Sequence, residues 1–168
     1  MRMIRVVLAV LVLAGLGGCA ERERSKFLTY DGPEVTRIMV WKDARQMALY
    51  HHDHVLMQVP ISLGFAPEGH KQRRGDGRTP EGTYIIDRRN PNSAFHLSLG
   101  ISYPDVNDQL VAREAGDDPG GDIFIHGKGP RFQNAQGDWT AGCIAVTDRQ
   151  MEQIYAMVRT GTRITILP

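Results

Sequence analysis

The chain has 168 residues, a formal net charge of +1 and charged side chains at 23% of its positions. This length is enough for one domain with a hydrophobic core. A nearly neutral chain without a basic stripe argues against nucleic acid as a partner. The sequence contains no internal repeat and no low-complexity tract.

The first segment has the features of an export signal. Arg2 and Arg5 precede an uninterrupted apolar run over residues 6–16. The run is shorter than the roughly 20 residues of a membrane-spanning helix, and it ends in small residues. These features predict a secretory signal peptide rather than a membrane anchor.

The end of this segment, Leu-Gly-Gly-Cys at residues 16–19, resembles the lipobox of bacterial lipoproteins. In such proteins the cysteine carries lipid and becomes the first residue. The resemblance implies a signal peptide over residues 1–18, followed by a lipidated Cys19 and a tether as far as residue 34. It also implies a periplasmic protein anchored by lipid in the outer membrane of a Gram-negative bacterium. Ordinary secretory cleavage near Ala20 is the alternative.

The rest of the chain is dominated by short predicted strands, separated by Gly, Pro, Asn and Asp. Residues 35–42 are rich in β-branched and aromatic side chains. A hairpin over residues 46–64 is predicted to turn near His52 and Asp53. Further strands are predicted at residues 82–89, 94–102, 122–127, 143–147 and 162–167.

Only one segment has convincing helical spacing. Thr147 or Asp148 is the predicted N-cap of this helix, and Gly161 is the predicted C-cap. Its apolar residues fall at positions i, i+3, i+4 and i+7, namely Met151, Ile154, Tyr155 and Val158. The predicted fold is therefore mostly β, with one main helix directly after Cys143.

Cys143 and His126 are the candidate reactive pair. If Cys19 carries lipid, Cys143 has no cysteine partner in an exported chain, where thiols are usually paired. A buried and inert cysteine is the alternative. A thiol nucleophile needs an imidazole to take and return its proton, and backbone N–H groups to stabilise the oxyanion. His126 ends an apolar strand, and Gly142 lets the backbone turn tightly before the cysteine.

At these residues the sequence resembles the L,D-transpeptidases of the YkuD type. The family motif is His-Gly followed, after a loop, by Ser/Thr-x-Gly-Cys and a hydrophobic residue. It appears here as IHG at 125–127 and TAGCIAV at 140–146. Similarity at 61–64, 75–86 and 95–104 extends the resemblance over about residues 35–168. It implies a β-sandwich-like mixed-sheet catalytic domain over residues 35–168.

The resemblance also implies a role for each motif residue. Cys143 would be the nucleophile, and His126 the proton donor and acceptor that forms an ion pair with it. The carbonyl of Gly127 would orient the imidazole, and the N–H groups of Gly142 and Cys143 would form the oxyanion hole. The substrate would be a peptidoglycan stem peptide, whose acyl group forms a thioester that an amine or water resolves. No cofactor is implied, and a monomer is expected.

Two departures from the family pattern leave the reaction outcome open. Many members have His and then Arg or Asn where this chain has Ala141 and Ala145. The alternatives are therefore a hydrolase of the same fold, either an L,D-carboxypeptidase or an amidase that releases wall-attached lipoprotein, and a non-catalytic wall-binding lipoprotein.

Asp122, Asp138 and Asp148 are alternatives to the Gly127 carbonyl as the group that orients His126.

Thr140, Trp139 and His96 are candidate substrate contacts. Trp139 could instead pack under the loop, and His96 could bond locally. Histidines at residues 51–54 suggest a metal site, but neighbouring strand residues point to opposite faces and no companion motif is present. We therefore predict exposed turn histidines there and no metal ion.

Overall fold

The computed structural model describes residues 24–168. The predicted signal peptide and Cys19 lie outside these residues. None of the helices in the described range is long and apolar enough to cross a membrane. The strands are β1 (Arg37–Trp41), β2 (Gln46–His51), β3 (His54–Pro60), β4 (Gly82–Asn90), β5 (Ser98–Ile101), β6 (Phe124–His126), β7 (Ile144–Ala145) and β8 (Arg163–Leu167), and the helices are α1 (Val106–Glu114) and α2 (Asp148–Met157).

The eight strands form one mixed sheet in the order β3-β2-β1-β8-β4-β5-β6-β7. The β1–β8 and β6–β7 pairs are parallel, and the other neighbours are antiparallel. The sheet curls until the chain after β3 meets β7, where Ser62 and Ala145 exchange backbone hydrogen bonds of 2.9 and 2.8 Å. The prediction of a mostly β, mixed-sheet fold is confirmed.

The inner face of the curled sheet forms the hydrophobic core. Alternate strand residues such as Ile38, Leu99 and Ile125 are fully buried there, as the two-residue period of a strand requires. Helix α2 adds Met151 and Ile154, both of which are fully buried. The core therefore supports β6 and β7, the two short strands beside His126 and Cys143.

The predicted helix α2 is present, but its end differs from the prediction. Thr147 is the N-cap and forms a capping box with Gln150. The C-cap is Val158 in an extended conformation, not Gly161. The guanidinium of Arg89 donates to the carbonyls of Tyr155 and Val158 at this end. A side chain from β4 thus satisfies the carbonyls that a C-cap glycine usually serves.

Helix α1 was not predicted. It begins after Asp105, whose carboxylate caps the backbone N–H of Asp108. The helix buries Asp108, which accepts a hydrogen bond of 3.1 Å from Tyr84 and lies 3.1 Å from the Nε2 of His70. Val106 and other apolar residues of the helix face outward. The helix docks through a polar anchor, so it has no apolar stripe that sequence periodicity could detect.

The strand predicted at 94–102 covers only Ser98–Ile101. His96 has a φ of +77°, a left-handed conformation that interrupts an extended strand. Residues 91–97 therefore form a loop, which becomes one wall of the site described below.

Candidate active site

Cys143 follows a tight turn whose backbone is fixed by Thr140. The Thr140 hydroxyl donates to the carbonyl of Cys143 at 2.7 Å and accepts the N–H of Gly142 at 3.1 Å. Gly142 has a φ of +132°, and a Cβ there would lie 2.6 Å from the carbonyl oxygen of Arg78. Only glycine fits both the conformation and the space. The Thr-x-Gly-Cys segment thus forms a turn that is stabilised by its own hydrogen bonds and that positions the thiol.

His126 reaches the same place from the neighbouring strand. It ends β6 and is paired with Ala145 of β7 in parallel register. His126 and Cys143 both line a cavity of about 340 Å³, the first cavity. Its other lining residues are Asn90, Ser93, Ala94, Phe95, Ser98, Asp122 and Phe124. The structure therefore brings the two predicted reactive side chains to one cleft.

The His126 ring is oriented by a backbone carbonyl. Its Nδ1 lies 2.6 Å from the carbonyl oxygen of Gly127. A carbonyl can only accept, so this contact places the proton on Nδ1 and leaves Nε2 as the basic nitrogen. Gly127 is the contact that the family resemblance implied.

The three carboxylates named as alternatives have other partners. Asp148 accepts the N–H groups of Lys128 and Gly129 at 2.7 and 2.9 Å, which fixes the loop after His126. Asp138 accepts the N–H of Leu63 at 2.8 Å and pairs with Arg45.

The third alternative, Asp122, has an exposed carboxylate near Arg88. Its backbone carbonyl accepts the thiol of Cys143 at 3.5 Å. Across residues 24–168, no carboxylate hydrogen-bonds the His126 ring.

Burial favours the neutral form of both reactive groups. It lowers the pKa of His126, against opposing effects of the Gly127 hydrogen bond and the charge of Asp148. Burial also raises the pKa of the Cys143 thiol, and the backbone of Phe124 opposes that rise. Cys143 and His126, both in the described range, make no direct hydrogen bond with each other. The ion pair that the family resemblance implies stays a prediction.

Aromatic side chains cover His126 from two loops, the 91–97 loop and the loop that joins β6 to the cysteine turn. The ring of Phe95 lies 4.4 Å from the imidazole, centroid to centroid, and Trp139 meets it edge-on at 5.8 Å. Trp139 stacks on Phe132 at 4.8 Å and does not line the first cavity. Its position matches the packing alternative rather than a substrate contact.

The other two candidate substrate contacts also lie outside the first cavity. Thr140 is buried, and its hydroxyl is used within the cysteine turn. The Nε2 of His96 lies 3.0 Å from a carboxylate oxygen of Glu152 on α2. Each polar group already has an internal partner, and substrate binding by Thr140 and His96 stays a prediction.

Gly142 keeps its predicted place beside the thiol, although its N–H donates to Thr140 in this structure. Its oxyanion role stays a prediction.

A second cavity, of about 350 Å³, opens on the other side of Cys143. Asp122 and Cys143 line both cavities. The remaining residues of the second cavity are Lys71, Arg74, Gly75, Gly120, Gly121, Ile123 and Ala141. The thiol therefore faces two spaces, of which His126 lines the first.

Sequence reasoning missed the loop that supplies Lys71 to this second cavity. The Lys71 ammonium is buried and donates to Asp76 at 2.8 Å. Burial alone would raise the pKa of Asp76, but hydrogen bonds from Lys71 and from three backbone N–H groups lower it to about 2. The spacing Lys-x4-Asp in a Gly-rich segment was the only available signal.

The histidines of residues 51–54 lie at the β2–β3 hairpin turn, as predicted. Among residues 24–168, no group of three His, Cys, Asp or Glu side chains is arranged to hold a metal ion.

Comparison with known proteins identifies the fold and the family. The family model for the YkuD L,D-transpeptidase catalytic domain matches residues 35–166. The putative L,D-transpeptidase YafK of Escherichia coli K12 is 26% identical over 174 aligned positions, which cover 94% of this chain and 64% of YafK. The chain thus spans less than two thirds of this curated relative.

Solved structures share the fold at lower identity. The helical cell shape determining protein Pgp2 of Campylobacter jejuni superposes with a TM-score of 0.62 at 23% identity, over 86% of this chain and 51% of Pgp2. An L,D-transpeptidase from Mycobacterium smegmatis gives a TM-score of 0.54 at 18% identity, over 82% of this chain and 60% of that one. With the match over residues 35–166, this chain belongs to the YkuD L,D-transpeptidase catalytic domain family.

Proposed function

We propose that this protein is a cysteine-nucleophile L,D-transpeptidase that acts on peptidoglycan stem peptides, in cross-linking or remodelling of the cell wall. The observation that carries the proposal is the thiol of Cys143 between two cavities of about 340 and 350 Å³. A transferase needs room for an acyl donor and for an acceptor amine on either side of one nucleophile. The name of Pgp2 as a cell shape determining protein supports a role at the wall.

In the first half-reaction, the sulfur of Cys143 attacks the carbonyl carbon between the L-centre of diaminopimelate and D-alanine. His126 Nε2 takes the thiol proton as the C–S bond forms. The C–N bond then breaks, and the same proton passes to the departing amine of D-alanine. This leaves a thioester and a neutral imidazole.

In the second half-reaction, an acceptor amine loses a proton to His126 and attacks the thioester carbon. A C–N bond forms, the C–S bond breaks, and the proton returns to the sulfur. Water in place of the amine would give hydrolysis. Exclusion of water from the thioester would favour a bound amine.

The directions of the two pKa shifts fit this scheme. Burial raises the pKa of the Cys143 thiol and lowers the pKa of His126, and both shifts favour a proton on the sulfur before the attack. Proton transfer then accompanies attack, as in general base catalysis.

The two alanines that depart from the family pattern have different positions. Ala141 lines the second cavity and leaves it open, whereas Ala145 is buried beside Ser62. Ala141 is thus the departure that bears on the acceptor.

Product analysis tests this proposal. The protein is incubated with a disaccharide-tetrapeptide and, separately, with purified sacculi, and the products are identified by mass. We expect loss of terminal D-alanine together with gain of an acceptor amine, and no product with Cys143→Ala. Release of D-alanine into water alone would replace the transferase with a carboxypeptidase. Retention of sacculi without any product would favour a binding lipoprotein.

We also propose that Cys19 carries a lipid that anchors the protein at the periplasmic face of the outer membrane. The support is the apolar run that ends in Leu-Gly-Gly-Cys. Cys19→Ala should leave the precursor unprocessed or release the protein from the outer membrane fraction. Unchanged fractionation of that variant would contradict lipid anchoring.

A further inference from the structure

The chain before the family-matched residues packs against the back of the active site. The ammonium of Lys26 donates to the carbonyl of Pro91 at 2.7 Å and to the carbonyl of His96 at 3.2 Å. These two residues stand near the two ends of the loop over residues 91–97. A lysine ammonium has three donors, so one group can hold both ends together.

This loop is a wall of the first cavity. Ser93, Ala94 and Phe95 line the cavity. Phe95 also covers the ring of His126 at 4.4 Å, and its carbonyl would lie 2.9 Å from a Cβ placed on Gly127. Movement of the loop would therefore change both the shape of the cavity and the cover over the imidazole.

The conformation of the loop is strained and held from several sides. His96 has a φ of +77°, which is unfavourable for a residue with a side chain. Its Nε2 lies 3.0 Å from Glu152, and Glu152 in turn pairs with Arg24. Such a conformation persists only where the surroundings fix it. Two of the fixing groups, Arg24 and Lys26, come from the N-terminal segment.

We infer that residues 24–27, the N-terminal brace, are part of the active site of this protein. Lys26 and Arg24 are positioning residues that hold the 91–97 loop, and through Phe95 they set the wall against which the acyl donor binds. The inference rests on the proposed function for its catalytic consequence. The brace precedes the family-matched residues 35–166, so it belongs to the segment that the sequence indicated as a tether.

The test uses the full chain purified in detergent, with Lys26→Met as the main variant. Hydrogen exchange of the amides at residues 92–97 should become about tenfold faster, since a charge-assisted clamp on two carbonyls is lost. Exchange in β8 should not change, which separates local release from global destabilisation. The KM for the disaccharide-tetrapeptide should rise about tenfold while kcat changes less, because the lost interaction shapes the binding wall.

Two further variants serve as controls. Lys26→Arg keeps donors for both carbonyls and should stay within about twofold of the parent protein in exchange and in KM. Arg159→Met removes an exposed cation two residues after the end of α2. It should change neither the hydrogen exchange of the loop nor the KM.

Unchanged loop exchange in Lys26→Met would overturn the inference, whatever the activity. Faster exchange with an unchanged KM would overturn the positioning role of the brace. If the parent protein turns over neither substrate, the proposed function fails, and the exchange data still decide whether the brace holds the loop.

Discussion

His126 ends β6 and Cys143 directly precedes β7, yet the two side chains are supported in different ways. The Cys143 side is fixed within its own turn: no side chain fits at Gly142, and the Thr140 hydroxyl bonds the backbone of Gly142 and Cys143. The His126 side is fixed by side chains, with Phe95 over the ring and Asp148 holding the following loop. The difference indicates which property each side controls.

Changes on the Cys143 side should cost stability, because a turn in contact with the closure of the sheet cannot relax. Changes on the His126 side should alter protonation, because removable side chains exclude water from the ring. Substitutions at Gly142, Thr140 and Phe95 test this difference between the Cys143 side and the His126 side.

Gly142→Ala should lower the free energy of unfolding by about 3 kcal/mol, through an unfavourable φ and a clash with the Arg78 carbonyl. Gly137→Ala is the matched control, since Gly137 also has a positive φ, of +64°, but nothing lies within 4 Å of its added Cβ. The control should cost about 1 kcal/mol. Denaturant unfolding measures both. Equal costs would mean that the cysteine turn is not rigid.

Thr140→Val should cost about 2 kcal/mol, since it keeps the shape of the side chain but removes the hydroxyl that serves Gly142 and Cys143. Thr83→Val, at an exposed strand position, should stay within about 0.5 kcal/mol of the parent protein. The same unfolding measurement applies. If Thr140→Val destabilises the protein no more than Thr83→Val does, the Thr140 hydroxyl does not stabilise the cysteine turn.

Phe95→Ala should raise the pKa of His126, because burial is the main cause of its lowered value and this ring covers it. The base must be unprotonated to act, so the acid limb of the pH–activity profile should move to higher pH. NMR titration of the imidazole measures the pKa directly. The ring of Phe132 stacks on Phe95 and Trp139, so Phe132→Ala should raise the pKa of His126 by a smaller amount. A pKa of His126 that falls in Phe95→Ala would contradict this explanation.

Much of the framework was predictable from sequence, because strand alternation and the helical spacing of α2 reflect burial against one core. The hairpin at His52 and Asp53 and the N-cap at Thr147 were predictable for the same local reasons. The motif residues Cys143 and His126 were predictable as a pair from the family motif and the Gly-rich loop between them, whereas the parallel register that sets His126 opposite Ala145 was not.

The rest depends on contacts between distant residues. Helix α1 is anchored by buried Asp108 rather than by apolar periodicity. His96 lies in an alternating apolar pattern, but its partner Glu152 is on another element, and the pair accompanies a left-handed backbone. The pKa shifts of Cys143 and His126 follow from burial, which spacing along the chain does not encode.

Detection of the acyl-enzyme tests directly whether Cys143 is the nucleophile. The full chain is mixed with the disaccharide-tetrapeptide, quenched with acid and examined by intact and peptide mass spectrometry. We expect an adduct on Cys143 whose mass is that of the substrate less D-alanine. Hydroxylamine should remove this adduct, and Cys143→Ala should not form it. Turnover that proceeds in Cys143→Ala, or an adduct on any other residue, would contradict the role of Cys143 as the nucleophile.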